Sequence, residues 1–297
     1  MSSDSVQRPF GGGWNLPMIG IGTPSGSTNF DPSTVKSAIL YAIDIGYRHI
    51  QTTVSLNLEQ PIGEALIEAA ENGIVKSREE LFITNKLQYT SNGYKTIIPE
   101  LRNSLEKLQL KYVDLYLIQW PDCAESGDYE HENIAHNNDQ QLMFAWAAME
   151  LCQKLGLTKS IGVCNFSSNM LENLLKFAKL PPSVNQVRMH QLWGEKKLRE
   201  FCLANKISII ASSTIGGKEK HLDITQYMEL ESLKKLSKHR QKTATQVYIY
   251  IYIYIYIWPS PREHLSTEKF HRNVCTPTEN RGSTDQWKLQ LASLVFL

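Results

Sequence analysis

The chain carries no excess charge of either sign. Lys and Arg number 31 against 30 Asp and Glu, a formal net charge of +1 over 297 residues. Binding a phosphate backbone needs a basic stripe, so nucleic acid is not an expected partner. Long apolar runs are missing too: none approaches the roughly 20 residues that cross a bilayer, and Met1 to Phe10 lack the apolar stretch of a secretory signal. Cysteine is sparse. Cys123, Cys152, Cys164, Cys202 and Cys275 are odd in number, scattered and without a C-x-x-C pair. This pattern excludes a disulfide frame and a structural zinc site, and fits reduced thiols in a cytoplasmic setting. The expectation is a cytoplasmic monomer without membrane, nucleic-acid or metal partners.

What the chain does have is a repeated alternation of short apolar runs and amphipathic segments, with 42% hydrophobic residues to fill a core. The runs are Met18–Ile21, Tyr47–Gln51, Leu81–Leu87, Val113–Gln119, Ser160–Cys164, Ser183–Val187 and Ile207–Ala211. Each is nearly continuous in apolarity, as a strand covered on both faces should be. Between them lie helical stripes: Val35, Ile39 and Ile43; Ile62, Leu66 and Ala70; Leu101, Leu105 and Leu108; Phe144, Ala148, Cys152 and Leu155; Leu171, Leu174 and Leu175; Leu198, Phe201, Cys202 and Ala204. Asp31-Pro32 and Ser167 are N-cap signals, and Gly46, Gly73 and Gly156 are stops. Repeated strand–helix units with right-handed crossovers give a parallel sheet. Periodicity alone leaves a doubly wound sheet and a closed (β/α)₈ barrel both open, and the spacing of seven units over roughly 230 residues favours the barrel.

The alternation stops at Val247. Residues 248–258 read YIYIYIYIYIW, with Tyr on one face and Ile on the other of an extended strand. Such a segment of β-formers, without charge or Pro, is also aggregation-prone. A translated TA-dinucleotide repeat would give the same string, which suggests read-through of a non-coding or expanded repeat. Beyond Pro259 the tail is polar until Trp287–Leu297, where Leu289, Leu291, Leu294 and Val295 suggest a weak terminal helix. The expected organisation is a barrel over 13–247, the Tyr-Ile repeat over 248–258, and an unrelated, poorly ordered tail over 259–297.

Several longer strings carry a resemblance. GYRHIQTTVSLNLEQPIGEAL (46–66), KSREELFITNKL (76–87), LQLKYVDLYLIQWP (108–121), GLTKSIGVCNFS (156–167), VNQVRMHQLW (184–193) and KLREFCLANKISIIAS (197–212) resemble the aldo-keto reductases. The nearest branch is the plant NADPH-dependent group that includes chalcone, codeinone and galacturonate reductases. The resemblance covers about four fifths of the chain. It implies an α/β fold of the TIM-barrel type, incomplete here because the eighth strand and the C-terminal segment are replaced. The implied activity is hydride transfer from NADPH to an aldehyde or ketone, the small-molecule substrate. In the family a Tyr hydroxyl protonates the carbonyl oxygen, a Lys paired with an Asp assists, and a His orients the substrate. A phenol with a pKa near ~10 needs such a cation nearby to serve as a general acid.

Carried over position by position, the resemblance finds the Asp replaced by Gln51, the Tyr by Leu56 and the His by Gln119, with the Lys retained as Lys86. Leu56 has no proton to give, and loss of a general acid costs about 10²–10⁴ in rate. Gln51 can hydrogen-bond Lys86 but has no charge to balance an ammonium. The Gln119 amide can still donate to a carbonyl oxygen. Among cofactor positions, Asn165 and Gln186 match residues that bond the nicotinamide carboxamide, and Cys164 stands at the small-residue position beside them. Ser212 replaces the stacking aromatic, Ser213 continues that loop, and Thr23 with Gly20 and Gly22 resembles the first strand–loop. Gln88 and Trp120 are substrate-pocket positions. The Lys-Ser and Arg that grip the 2′-phosphate of NADPH have no counterpart in 248–297. The resemblance therefore implies an oxidoreductase by descent with impaired activity. The rival readings are a catalytically inactive relative that binds a nucleotide or partner, and a truncated product whose seven-stranded sheet keeps open edges unless the Tyr-Ile run fills the gap.

Simpler roles compete at several positions. His49 reads as a hydrogen-bonded packing residue, and His131 and His136 sit in an acidic loop without a convergent ligand set. Cys164 lacks an evident base and reads as a small residue, not a nucleophile. Trp193, like Trp120, fits a rim as well as a pocket.

Overall fold

The computed structural model of the protein describes residues 7–10, 14–17, 19–22, 31–54, 57–89, 94–119, 139–188, 196–212, 230–244, 247 and 292–296. Seven parallel strands form the wall of a barrel: β3 (Ile19–Gly22), β4 (His49–Thr53), β5 (Phe82–Gln88), β6 (Val113–Gln119), β7 (Thr158–Cys164), β8 (Val184–Arg188) and β9 (Ser208–Ser212). All seven match the apolar runs to within two or three residues at each end. Helices α1 (Pro32–Asp44), α2 (Glu59–Glu71), α3 (Ile97–Leu108), α4 (Asp139–Lys154), α5 (Ser168–Phe177) and α6 (Lys196–Ala204) supply the crossovers, and α7 (Glu231–Arg240) follows β9.

The eighth position, expected to lack its family strand, is filled from the C-terminal tail. Strand β10 (Ala292–Phe296) lies antiparallel between β3 and β9, pairing Ala292 with Gly22, Val295 with Ile19 and also with Ala211, and Phe296 with Ile210. It closes the barrel in the order β10-β3-β4-β5-β6-β7-β8-β9. The predicted terminal helix over Trp287–Leu297 is therefore a strand across these five residues. The reason is the two edges that seven parallel strands leave open: an apolar stretch of five is ambiguous by itself, and unpaired N–H and C=O groups settle it as β. The Tyr-Ile run, considered for this gap, lies outside the described residues.

The local signals act as expected where they can be checked. Asp31 is extended (φ −64°, ψ 124°) and its carboxylate accepts from Thr34 N at 2.9 Å, with Pro32 opening α1. Ser167 does the same for α5, accepting from Met170 N at 3.3 Å. Gly46 ends the α1 segment at φ +107°, a conformation that costs residues with a Cβ. The fourth stripe is half right: Ala148 and Cys152 are buried as expected, and its two ends are not. Phe144 and Leu155 are 38% and 48% exposed, whereas Leu142, Ala145, Trp146, Met149 and Cys152 are buried. Ala70 of α2 likewise points outward while Ala69 is buried.

An antiparallel hairpin precedes the barrel, β1 (Gln7–Phe10) with β2 (Trp14–Pro17). From it Leu16 joins Phe82, Leu115, Leu117, Val184 and Ile210 in an apolar cluster separate from the large one beneath the helices. Two clusters separated by strand parity define the architecture. Ile50, Ile83, Tyr116, Ile118, Ile161, Val163, Val187 and Ile209 face the helices; the residues between them face the lumen. At the amino end, Asp114 on β6 is a bolt. Its carboxylate accepts from Ile83 N at 2.9 Å and Arg78 Nη2 at 2.7 Å, and lies 3.1 Å from Lys159 Nζ. Arg78 and Lys159 also lie 4.6 and 4.5 Å from the Tyr112 ring.

Candidate active site

Parallel registry carries the lumen-facing parity from strand to strand. Gln51 pairs with Thr84, Lys86 with Leu117, Gln119 with Cys164, and Cys164 with Gln186. Gln51, Lys86, Gln119, Cys164, Gln186 and Ser212 therefore share one parity and stand at the carboxyl ends of their strands, where a barrel of this type builds its site. The structure brings these six sequence-derived candidates to one mouth. Gln88 lies at the end of β5, its backbone registered with Gln119. Leu56, Thr23, Ser213 and Trp120 lie outside the described residues, as do His131, His136 and Trp193.

The polar network at the mouth differs from the sequence expectation. Gln51 is 6% exposed and its Oε1 accepts from Gln186 Nε2 at 2.5 Å, a bond between non-adjacent strands that crosses the lumen. Gln186, fully buried, in turn accepts from the Cys164 thiol at 3.6 Å. The result is a neutral chain, Cys164 to Gln186 to Gln51. The bond expected from Gln51 to Lys86 is not made: the Gln51 oxygen is given to Gln186 because that amide stands opposite it. Lys86 is half-buried, and among the described residues no carboxylate pairs with it. Its backbone carbonyl accepts from Thr53 Oγ1 at 3.1 Å.

Deeper in the lumen His49 Nε2 and Thr84 Oγ1 are 2.8 Å apart. Burial pushes the His49 imidazole down to about 3, so it is neutral at ordinary pH. This is the hydrogen-bonded packing role read from the sequence. The small residue Gly20 makes room for it, since a Cβ there would come within 2.6 Å of His49 Nδ1.

Asn165 follows β7 in the left-handed region, φ +60°, with its N–H donating to Gln186 O at 2.7 Å. Ser212 Oγ donates to Val187 O at 3.2 Å. Two described tyrosines of this region, Tyr116 and Tyr89, are packed on the helix side of the wall. Tyr116 has helix-facing parity, its hydroxyl donates to Ile97 O at 3.4 Å, and burial raises it well above the usual phenol range. Tyr89 is also packed in the helix-side cluster. Cys152 and Cys202 are buried thiols pushed up to about 12 by burial, without a disulfide, and are inert structural residues.

A sequence profile described as the Aldo/keto reductase family matches residues 18–252. The chain is a member of that family. It is 43% identical over 233 residues to deoxymugineic acid synthase 1 of Zea mays, covering 78% of this chain and 74% of that protein. It is also 43% identical over 236 residues to the (1S)-1,7-diacetoxy-luvungin A aldo-keto reductase of Citrus sinensis, with 78% and 72% covered. Among solved structures, the aldo-keto reductase of Bombyx mori in complex with NADP superposes with a TM-score of 0.67 at 28% identity, covering 82% of this chain and 78% of that one. The aldo/keto reductase from Brucella melitensis gives 0.65 at 29% identity, with 82% covered on each side. These relatives bear out both the family resemblance and the barrel. Among the described residues no helix is long and apolar enough to cross a membrane.

For this aldo/keto reductase the nicotinamide end of a cofactor site can be tested against the side chains present. An amide has two N–H donors and two carbonyl lone pairs. Gln186 uses one N–H on Gln51 and one lone pair on Cys164, which leaves one of each for a ligand carboxamide. Asn165, held in the left-handed region, and the small, buried Cys164 stand beside Gln186 as neutral groups. These residues fit the group at that end. No acidic, cysteine or histidine cluster able to hold a metal occurs among the described residues.

Proposed function

We propose that this chain is an aldo/keto reductase whose mouth receives a small aldehyde or ketone beside NADPH, and whose reductase activity is much reduced. The cofactor, when bound, supplies the hydride. Asn165 and Gln186 would hold its carboxamide against β7 and β8, with Cys164, Ser212 and Ser213 lining the same wall and Thr23 the first loop. Gln119 would offer an amide N–H to the substrate oxygen, and by family resemblance Gln88 and Trp120 are substrate-pocket positions. Lys86 alone retains its family identity, since Gln51 and Leu56 replace the Asp and the Tyr.

The observation that carries the reduced activity is the Gln51–Gln186 bond. A carboxylate at Gln51 would pair with Lys86 and align it toward a proton donor; the amide is engaged across the lumen instead. Without a phenol at Leu56, water must protonate the product oxygen, and the expected loss is about 10²–10⁴. Titrating NADPH against intrinsic fluorescence and measuring turnover with benzaldehyde tests the proposal. Saturable quenching with slow turnover that falls further in Lys86→Ala agrees with it. Turnover at the rate of an ordinary reductase overturns it, as does complete insensitivity to NADPH. The same bond favours a second reading, a catalytically inactive relative, for which saturable quenching would come with no turnover at all. A monomeric, cytoplasmic protein is part of the proposal.

A further inference from the structure

Lys86 stands at a lumen position whose registered neighbours are neutral. By register its neighbours are Thr53 on β4 and Leu117 on β6, with Gln119 one lumen-facing position above Leu117. Of nine lumen positions toward the carboxyl ends (Gln51, Thr53, Thr84, Lys86, Leu117, Gln119, Cys164, Gln186 and Ser212), Lys86 is the one cation and none is a carboxylate; Arg188, which ends β8 in register with Ser212, adds a second cation at the same parity. The neighbour that would have been acidic is occupied elsewhere, Gln51 being bonded to Gln186. An amine on a strand, half-buried at a barrel mouth and with no carboxylate paired to it among the described residues, is open to carbonyl compounds, which condense with amines to imines.

We propose that Lys86 is a covalent carbonyl-capturing residue, forming a reversible imine with small aldehydes and ketones that enter the mouth. This rests on the reading that the mouth admits a carbonyl substrate, but not on NADPH. The Lys86 Nζ lone pair forms the new C–N bond as the carbonyl π bond opens. The carbinolamine then loses its oxygen as water, carrying both amine hydrogens, and the C=N bond closes. No electron is gained or lost, and hydrolysis reverses the step. Gln119, at lumen-facing parity on the neighbouring strand, would donate its amide N–H to the departing oxygen, and Thr53 holds the Lys86 carbonyl. The chemistry differs from hydride transfer, in which the lysine never bonds to substrate.

The test is reductive trapping on the full-length protein. Benzaldehyde and sodium cyanoborohydride are added at limiting aldehyde, and benzylated lysines are quantified by peptide mass spectrometry against time. Lys196 and Lys235, exposed on α6 and α7, are internal references for ordinary surface reactivity. Lys86 is expected to be benzylated at least tenfold faster than either. Gln51→Glu, which places a carboxylate at the mouth, is expected to slow Lys86 at least threefold while leaving Lys196 unchanged. Equal rates at Lys86 and Lys196 overturn the proposal, as does a Gln51→Glu protein with normal circular dichroism and unaltered Lys86 trapping. Fluorescence titration with NADPH on the same sample keeps the two readings apart. Quenching without preferential trapping sinks the imine alone, and preferential trapping without quenching sinks the reductase reading alone.

Discussion

Replacing Gln51 by leucine removes one end of a buried bond that ties β4 to β8 across the lumen. Gln51 is 6% exposed and Gln186 is fully buried, so the amide N–H left behind has no water to turn to. An unsatisfied buried donor costs about 1–3 kcal/mol, whereas removing both partners together is much cheaper. Gln186→Leu alone should cost a similar ~1–3 kcal/mol by leaving the Gln51 carbonyl unpaired. The double variant should then lose less than the two singles together, by about 1 kcal/mol or more. Reversible urea denaturation at neutral pH, followed by circular dichroism, measures all four corners of this cycle. In thermal melts each kcal/mol corresponds to roughly 2–4 °C for a chain of this class. A parallel cycle of Gln51→Leu with Lys86→Met should be additive within ~0.5 kcal/mol, because no bond joins them. Additivity for Gln51 with Gln186, or coupling of Gln51 with Lys86, would refute the pairing across the lumen.

Asp114→Ala should cost about 3 kcal/mol, the lower end of the range for breaking a buried pair, since Arg78 and Lys159 keep some contact with solvent; a urea midpoint unchanged from the parent would contradict this. His49 links stability to acid. Its folded pKa of about 3 lies below the ordinary value, so only the unfolded chain takes up a proton between roughly pH 6.5 and 3. Stability should therefore fall by up to ~1.4 kcal/mol per pH unit across that window, with nothing gained or lost from this group above it. His49→Gln should flatten the slope, and a variant with the parental pH profile would count against the assignment. Val295→Pro removes a ladder N–H where β10 meets both β3 and β9, and should shift material from monomer to aggregate by size-exclusion chromatography; an unchanged profile would show that the strand is dispensable. Gly162→Ala should destabilise by about 1–3 kcal/mol, because a Cβ there comes within 2.6 Å of Val184 O; unaltered melting would mean that the wall yields.

The wall of the barrel was legible because strands covered on both faces are apolar throughout, and all seven runs fall on strands. Helix faces were less so. In α4 the sequence FAWAAMELC is apolar nearly all round, so spacing alone selected Phe144 and Leu155 when packing against the sheet selects Trp146 and Met149. The four-residue strands of the leading hairpin carry too few residues for a period to register. Strand β10 was read as a helix because what fixes it is the pair of open edges on β3 and β9, a property of the assembled wall. At the mouth, motif position gathered Gln51, Lys86, Gln119, Cys164 and Gln186, and alternation confirms their common parity. The choice of partner was not written locally: Gln51 and Gln186 are 135 residues apart, and only closure of the barrel brings them face to face.

The antiparallel seal has a consequence for how the molecule is made. Ser212 ends β9 and Ala292 opens β10, so the last stave leaves the ribosome about 80 residues after its neighbour, some 4–16 s at ordinary elongation rates of ~5–20 residues per second. Throughout that interval the nascent cylinder is gaping along one seam, with two rows of backbone groups available to any passing strand. Chaperone supply during translation, more than the stability of the finished barrel, should therefore govern how much of the protein reaches its native form.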